Sequence, residues 1–138
     1  MSQELVMIQA VSSAPLEKVW RYFVEPEHIV RWNYAVDNWH CPKAENDLTP
    51  GGRFNYRMEA RDGSFGFDFS GEYEEIRPQE LITYHLDDGR LVEVAFQASG
   101  DQTNITQKFE AGEANPMEFQ KKGWQAILDR FAAYVEDH

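Results

Sequence analysis

A chain of 138 residues suits one domain around one core, and its 24 acidic against 13 basic residues, a formal net charge of −11, argue against the phosphate-neutralising surfaces that nucleic acids and anionic membranes require. The single cysteine, Cys41, excludes an intrachain disulfide scaffold, and no apolar run approaches the roughly 20 residues of a spanning helix. Residues Met1 to Glu4 carry neither a basic region nor an apolar run of signal-peptide length, so a cytoplasmic setting is expected. Nine Phe, six Tyr and four Trp are many for this length, and such rings either fill a core or line a cavity. Against the overall acidity, an anionic ligand would need a local basic exception.

Glu4 to Ser12 is rich in β-branched and apolar residues and predicts a strand. Ser13-Ala14-Pro15 supplies a cap and a helix-compatible proline, and Leu16, Val19, Trp20 and Phe23 share one face of a helix over Leu16 to Val24. Pro26 starts a second short helix carrying Ile29, Val30 and Trp32. Asn33 to Thr49, with Tyr34, Trp39, His40 and Cys41, shows no period and reads as irregular structure with room for one short strand. Pro50-Gly51-Gly52 is a turn.

Turn-linked strands follow. Phe54, Tyr56 and Met58 alternate with polar residues in Arg53 to Ala60, which puts one face inside. Asp62-Gly63 turns into a strand over Phe65 to Ile76, with Phe65, Phe67 and Phe69 on one face and Gly71 marking a bulge or bend. Arg77 to Glu80 is a turn, Leu81 to Leu86 a strand, and Asp87-Asp88-Gly89 another turn. Val92, Val94 and Phe96 alternate within Leu91 to Gln97, and Thr103 to Phe109 is the last strand. Asn115-Pro116, with Glu118, has the form of a capping box opening a long helix, whose stripe is Met117, Gln120, Trp124, Ile127, Leu128, Phe131 and Val135. Gly123 interrupts that helix, and a close approach to the sheet is one reason for it. About six antiparallel strands with one long amphipathic helix make an α+β domain, the helix on one sheet face.

The ordered set Pro15, Val19-Trp20, Pro26-Glu27-His28, Arg31-Trp32, Pro50 to Phe54, Gly71-Glu72-Tyr73, Pro78-x-Glu80, Thr106-Gln107 and Gly123-Trp124 resembles the START-like (Bet v-like, polyketide-cyclase-like) SRPBCC superfamily. Within it the chain resembles the branch named after the activator of heat-shock protein 90 ATPase. The resemblance covers nearly the whole chain. It implies a helix-grip fold, a curved sheet wrapped round the C-terminal helix, and a cavity between them near Trp124. Asn33 stands where relatives often carry a second Trp after Arg31-Trp32, which makes the pocket mouth more polar if that position faces inward.

By parity and stripe, Phe54, Tyr56, Met58, Phe67, Phe69, Phe96, Trp124, Ile127 and Phe131 point inward, as a packed core or as the lining of a cavity. Leu128 and Tyr84 join them, and the Trp32 to Trp39 region closes the space. Tyr56, Tyr73 and Tyr84 place hydroxyls inside or at the rim, while Arg57 and Arg61 face the other way. His28, His40, His85 and His138 lack metal-ligand spacing, so no metal is expected, and Cys41 lacks a motif that would make it a nucleophile. Asp68, Glu72, Glu93 and His85 are the acid–base candidates, with Asp68 and Glu72 toward solvent by alternation. No dinucleotide, P-loop or nucleophile-elbow motif is present. The expectation is cofactor-free binding of a small apolar or aromatic molecule. An enzyme of cyclase, dehydratase or hydrolase type would instead require titratable groups converging in the cavity. A chaperone regulator or stress protein would require an interaction surface. The chaperone role of the larger protein that names the branch is not carried over, and a weak homodimer is expected from superfamily precedent alone.

Overall fold

The computed structural model describes residues 5–112 and 116–138. Its elements are β1 (Leu5–Ser12), α1 (Leu16–Val24), α2 (Pro26–Trp32), β2 (Trp39–Asn46), β3 (Arg53–Ala60), β4 (Gly66–Arg77), β5 (Leu81–Leu86), β6 (Leu91–Ser99), β7 (Gln102–Glu110) and α3 (Met117–Asp137). The strands form one seven-stranded antiparallel sheet in the order β1-β7-β6-β5-β4-β3-β2. Strands β2 to β7 are a meander of hairpins, and β1 crosses to the far edge to pair with β7. The sheet curls into a half-barrel, and α3 packs against it. Among the described residues no helix is long and apolar enough to cross a membrane.

Alternation places the core. Ile8, Val92, Val94, Ile105 and Phe109 rise from the concave face and are essentially buried, as are Val19 and Ile29 from the short helices and Leu128, Phe131 and Val135 from α3. Each such side chain contributes roughly 1.5–3 kcal/mol by leaving water. Two buried hydroxyls tie distant segments together. Ser12 Oγ donates to the Ala132 carbonyl at 2.9 Å, and Thr103 Oγ1 to the Ala14 carbonyl at 2.8 Å. Both bonds also satisfy carbonyl groups in a dry interior.

The structure corrects the sequence-based reading in several places. The segment read as irregular with room for one short strand holds an eight-residue edge strand, β2, the seventh strand of the sheet and longer than expected. Its alternation is hidden by a register shift between His40 and Lys43, where Pro42 sits without a ladder hydrogen to offer. The bulge expected at Gly71 lies between Tyr73 and Glu75, and Thr83 Oγ1 accepts the freed Glu75 N–H at 3.1 Å. Gly71 serves a close approach instead, since a Cβ there would collide with the His85 carbonyl oxygen and meet Phe54. Phe65 precedes β4 and is 74% exposed, so it does not share a wall with Phe69. Asn115 lies outside the described residues; Pro116 stands immediately before α3.

Helix α3 is seated unevenly. Its second half buries Leu128, Phe131, Ala132, Tyr134 and Val135, whereas Met117 and Phe119 in its first turn are 42% and 67% exposed. Gly123 makes no close approach to the sheet, because a Cβ there would meet nothing within 4 Å. Its backbone is helical, and the space beside it accepts a methyl group. Gly123→Ala is therefore expected to stabilise the protein by about 0.5–1 kcal/mol, a rise of about 2–5 °C in thermal midpoint, measurable by calorimetry. A loss of stability would show that the space is closed in solution.

Candidate functional site

Beneath the raised half of α3 lies a pocket of about 490 Å³. Phe54, Tyr56 and Met58 reach it from β3 because residues two apart share a face, and Phe67 and Phe69 join them from β4. Tyr84 of β5 and Gln107 of β7 form the floor. The roof is a helical stripe of Gln120, Gly123, Trp124, Ile127 and Leu128. Phe23, Trp32, Asn33 and Ala35 bound one side; Asp88, Arg90, Gly112 and Phe119 complete the lining.

The rings are held rigidly. Trp124 stacks on Phe109 with centroids 4.2 Å apart and planes 10° from parallel, and Phe69 meets its edge at 6.0 Å. The Trp32 indole N–H donates to the Tyr22 carbonyl at 3.0 Å, and its ring packs between Phe23 and Phe131. Three predicted lining residues sit elsewhere. Phe96 packs edge-on to Trp20 and Phe23 in the core, Phe131 is fully buried against Trp32, and Trp39 lies against Phe67 from β2. Trp32, Phe54, Tyr56, Met58, Phe67, Phe69, Tyr84, Trp124, Ile127 and Leu128 are on the pocket wall. The structure adds Phe23, which belongs to the apolar stripe of α1, and Gln107, whose strand parity with Ile105 and Phe109 points it inward. Arg90 had no sequence signal, since it sits in a turn.

The Tyr56 hydroxyl joins a small hydrogen-bond chain behind the pocket wall. Tyr56 and Tyr73 hydroxyls are 3.3 Å apart, and Asn46 Nδ2 donates to the Val24 carbonyl at 2.7 Å and to the Tyr73 hydroxyl at 3.4 Å. Burial raises the pKa of Tyr56 well above the ordinary phenol range and raises Tyr73 as well, the latter opposed by hydrogen bonds to Tyr56 and Asn46. Burial likewise raises Tyr84, while a hydrogen bond from Gln107 and the charge of Arg90 pull the other way. All three hydroxyls therefore stay protonated at neutral pH. Asn33 lines the pocket, its amide 3.6 Å from Met58 Sδ.

The acid–base candidates lie on the outer surface of the sheet. Asp68 pairs with Arg57 at 3.5 Å, His85 with Glu74 at 3.3 Å and Glu93 with Lys108 at 4.0 Å, and Glu72 is exposed. Away from the pocket, Glu25, Glu27 and His28 bring one ligand atom each within 4.8 Å of one another, with His28 Nδ1 already bonded to the Tyr134 hydroxyl at 2.8 Å. Cys41 is buried, with Sγ 3.5 Å from the Lys43 carbonyl.

The sequence profile of the Activator of Hsp90 ATPase homolog 1-like proteins matches residues 13–136. The chain belongs to this family. Two solved members of the fold share enough sequence to be relatives. The AHSA1-like protein from Aeromonas hydrophila is 37% identical, with 97% of this chain and 93% of that one covered at a TM-score of 0.92. A Cytophaga hutchinsonii protein is 45% identical, with 96% and 92% covered at a TM-score of 0.83. A Chromobacterium violaceum protein, 24% identical over 96% of this chain and 98% of its own at a TM-score of 0.83, shows the shared fold. No curated protein matches the chain. Membership places it in the SRPBCC superfamily, in the branch of Activator of Hsp90 ATPase homologue-like proteins.

One pH dependence follows from the buried thiol of this family member. Burial pushes Cys41 from an ordinary 9.0 up to about 11, opposed by hydrogen bonds with Asn33 and the Lys43 backbone. The folded state therefore favours the protonated thiol. That stability is complete below pH 9 and is lost as pH rises toward 11, in an amount on the order of 2 kcal/mol. Cys41→Ala should flatten the fall in urea stability between pH 8.5 and 10.5 relative to wild type. An unchanged slope would show that the thiol titrates freely.

Proposed function

We propose that the protein binds a small hydrophobic or aromatic molecule in the pocket under α3. The observation that carries this reading is the pocket of about 490 Å³ walled by rings that are themselves fixed by stacking. That volume lies in the usual range for small-molecule sites, which pair apolar walls with a few fixed polar groups. Apolar surface facing such a space is stabilised by about 25 cal/mol per Å² when a ligand removes it from water. The walls need little reordering, so less of that gain is lost to side-chain entropy.

The polar groups support recognition rather than turnover. Tyr56 and Tyr84 stay neutral and can donate or accept one hydrogen bond each, which orients a ligand. The candidate acids and bases Asp68, Glu72, Glu93 and His85 are remote from the pocket, and the carboxylate that does line it, Asp88, is taken up by Arg90 through both oxygens, so binding is favoured over the cyclase, dehydratase or hydrolase alternatives. The family name refers to a chaperone activator, and nothing in the pocket carries that role to this chain.

A thermal-shift screen with apolar and aromatic metabolites tests the proposal. At a hundredfold excess over Kd a ligand adds about 2.7 kcal/mol to stability. Trp124→Ala should lose the shift by removing the stacked roof. Gly123→Leu should also lose it by filling the space, while keeping or raising the midpoint of the free protein. A ligand-induced shift of undiminished size in Gly123→Leu would place binding elsewhere, and no shift across a broad library would count against the pocket.

A further inference from the structure

Charge is distributed unevenly round the pocket. Asp88 and Arg90 are the lining side chains ionised at neutral pH, and both come from the turn between β5 and β6. Asp88 is engaged in holding Arg90. One carboxylate oxygen accepts the Arg90 backbone N–H at 3.1 Å, and the other accepts Nε at 2.8 Å. Among the described residues, the Arg90 guanidinium finds its hydrogen-bond partner through Nε alone, which leaves the two terminal amino groups and their four donors unmatched. The side chain is nevertheless only 24% exposed. Gly112 permits this position, since a Cβ there would stand 3.2 Å from Nη1.

The floor continues the donor set. Gln107 is 7% exposed between the apolar Ile105 and Phe109 on the inward face of β7 and lines the pocket. Tyr84 lines the same pocket from β5, and Gln107 and the charge of Arg90 both act against the rise that burial gives its hydroxyl. Arginine N–H groups, a carboxamide and a protonated phenol thus line one space whose other walls are mostly rings and aliphatic side chains.

A wholly apolar ligand would cover those groups with carbon. Burying a guanidinium or amide without a partner costs several kcal/mol, which cancels much of the gain from the rings. A carboxylate removes that cost, because its two oxygens match the planar fork of arginine and leave lone pairs for further donors. Resting on the reading of this pocket as a ligand site, we propose that it selects molecules with an apolar or aromatic body and a carboxylate at one end, the carboxylate received by Arg90 and oriented by Tyr84 and Gln107. Arg90 is then the local basic exception that an anion needs on a chain of net charge −11. Asp88 takes up only the Nε side of that guanidinium, and the acids on the outer face of the sheet are screened over about 8 Å at physiological salt.

The test compares three carboxylates, 2-naphthoate, decanoate and 4-phenylbutyrate, with their primary amides, by calorimetry at pH 7.5 on the intact protein. The wild type should bind at least one carboxylate about tenfold more tightly than its amide, the scale of a charge-assisted pair. Arg90→Met should abolish that preference, bringing each carboxylate and its amide to similar affinity. Arg90→Lys, which keeps the charge without the fork, should retain a reduced preference. Equal affinities in the wild type, or a preference that survives Arg90→Met, would overturn the carboxylate inference and leave the pocket reading standing. Binding of none of the six compounds would count against the pocket reading and remove this inference with it.

Discussion

The stack of Trp124 on Phe109 sets the height of the last helix above the sheet, and most of the site's geometry follows from that height. Phe109 is fully buried on the concave face, one strand in from the β1 edge, and an indole lying flat on it cannot be compressed. C-terminal to the stack, Leu128, Phe131 and Val135 descend into the core, and α3 runs beside β1. N-terminal to it, the helix stands away from β3 and β4, whose rings reach it through contacts such as Phe69 against Trp124. A seven-stranded curved sheet is wider than one helix, so a single helix seated on one half leaves the other half roofed but unfilled.

The uneven seating separates two roles among chemically similar residues. Phe96 and Phe131 provide cohesion, whereas Phe54, Tyr56 and Phe69 present faces to open space while bracing one another from the side. The tyrosine hydroxyls are satisfied by each other and by Asn46, which in turn holds the end of α1 through the Val24 carbonyl. Polar satisfaction at the back of the pocket thus stiffens the wall rather than leaving hydroxyls to seek water.

Much of the fold was legible because its periods are clean. Phe54, Tyr56 and Met58 alternate without interruption, and Leu16, Val19, Trp20 and Phe23 repeat at helical spacing, so both elements fall where the pattern puts them. Strand β2 was hidden because Pro42 and the adjacent shift break the alternation that reveals a strand. For the site, periodicity reports only that a side chain points inward. It cannot distinguish Phe96, which meets other atoms, from Phe54, which faces a void, because that depends on how far the helix stands off. Arg90 was invisible for a different reason: a turn residue becomes part of a wall only through the curl of the whole sheet. Gln107 was readable by parity with Ile105 and Phe109, but a polar residue on an inward face carries no label for what it will bind.

The hydroxyl of Ser12 bonds a carbonyl 120 residues later in the chain. With β1 paired to β7 and packed along α3, the first strand has no local partner during folding. The β2 to β7 meander can form by successive hairpins, but its concave aromatic face stays open until α3 and β1 close over it together. Loop closure over such a separation is slow compared with hairpin formation. During synthesis on the ribosome, the rings that later line the pocket are therefore an exposed apolar surface for as long as α3 is missing. Apolar surface left open in this way is the part of a folding intermediate most prone to aggregate.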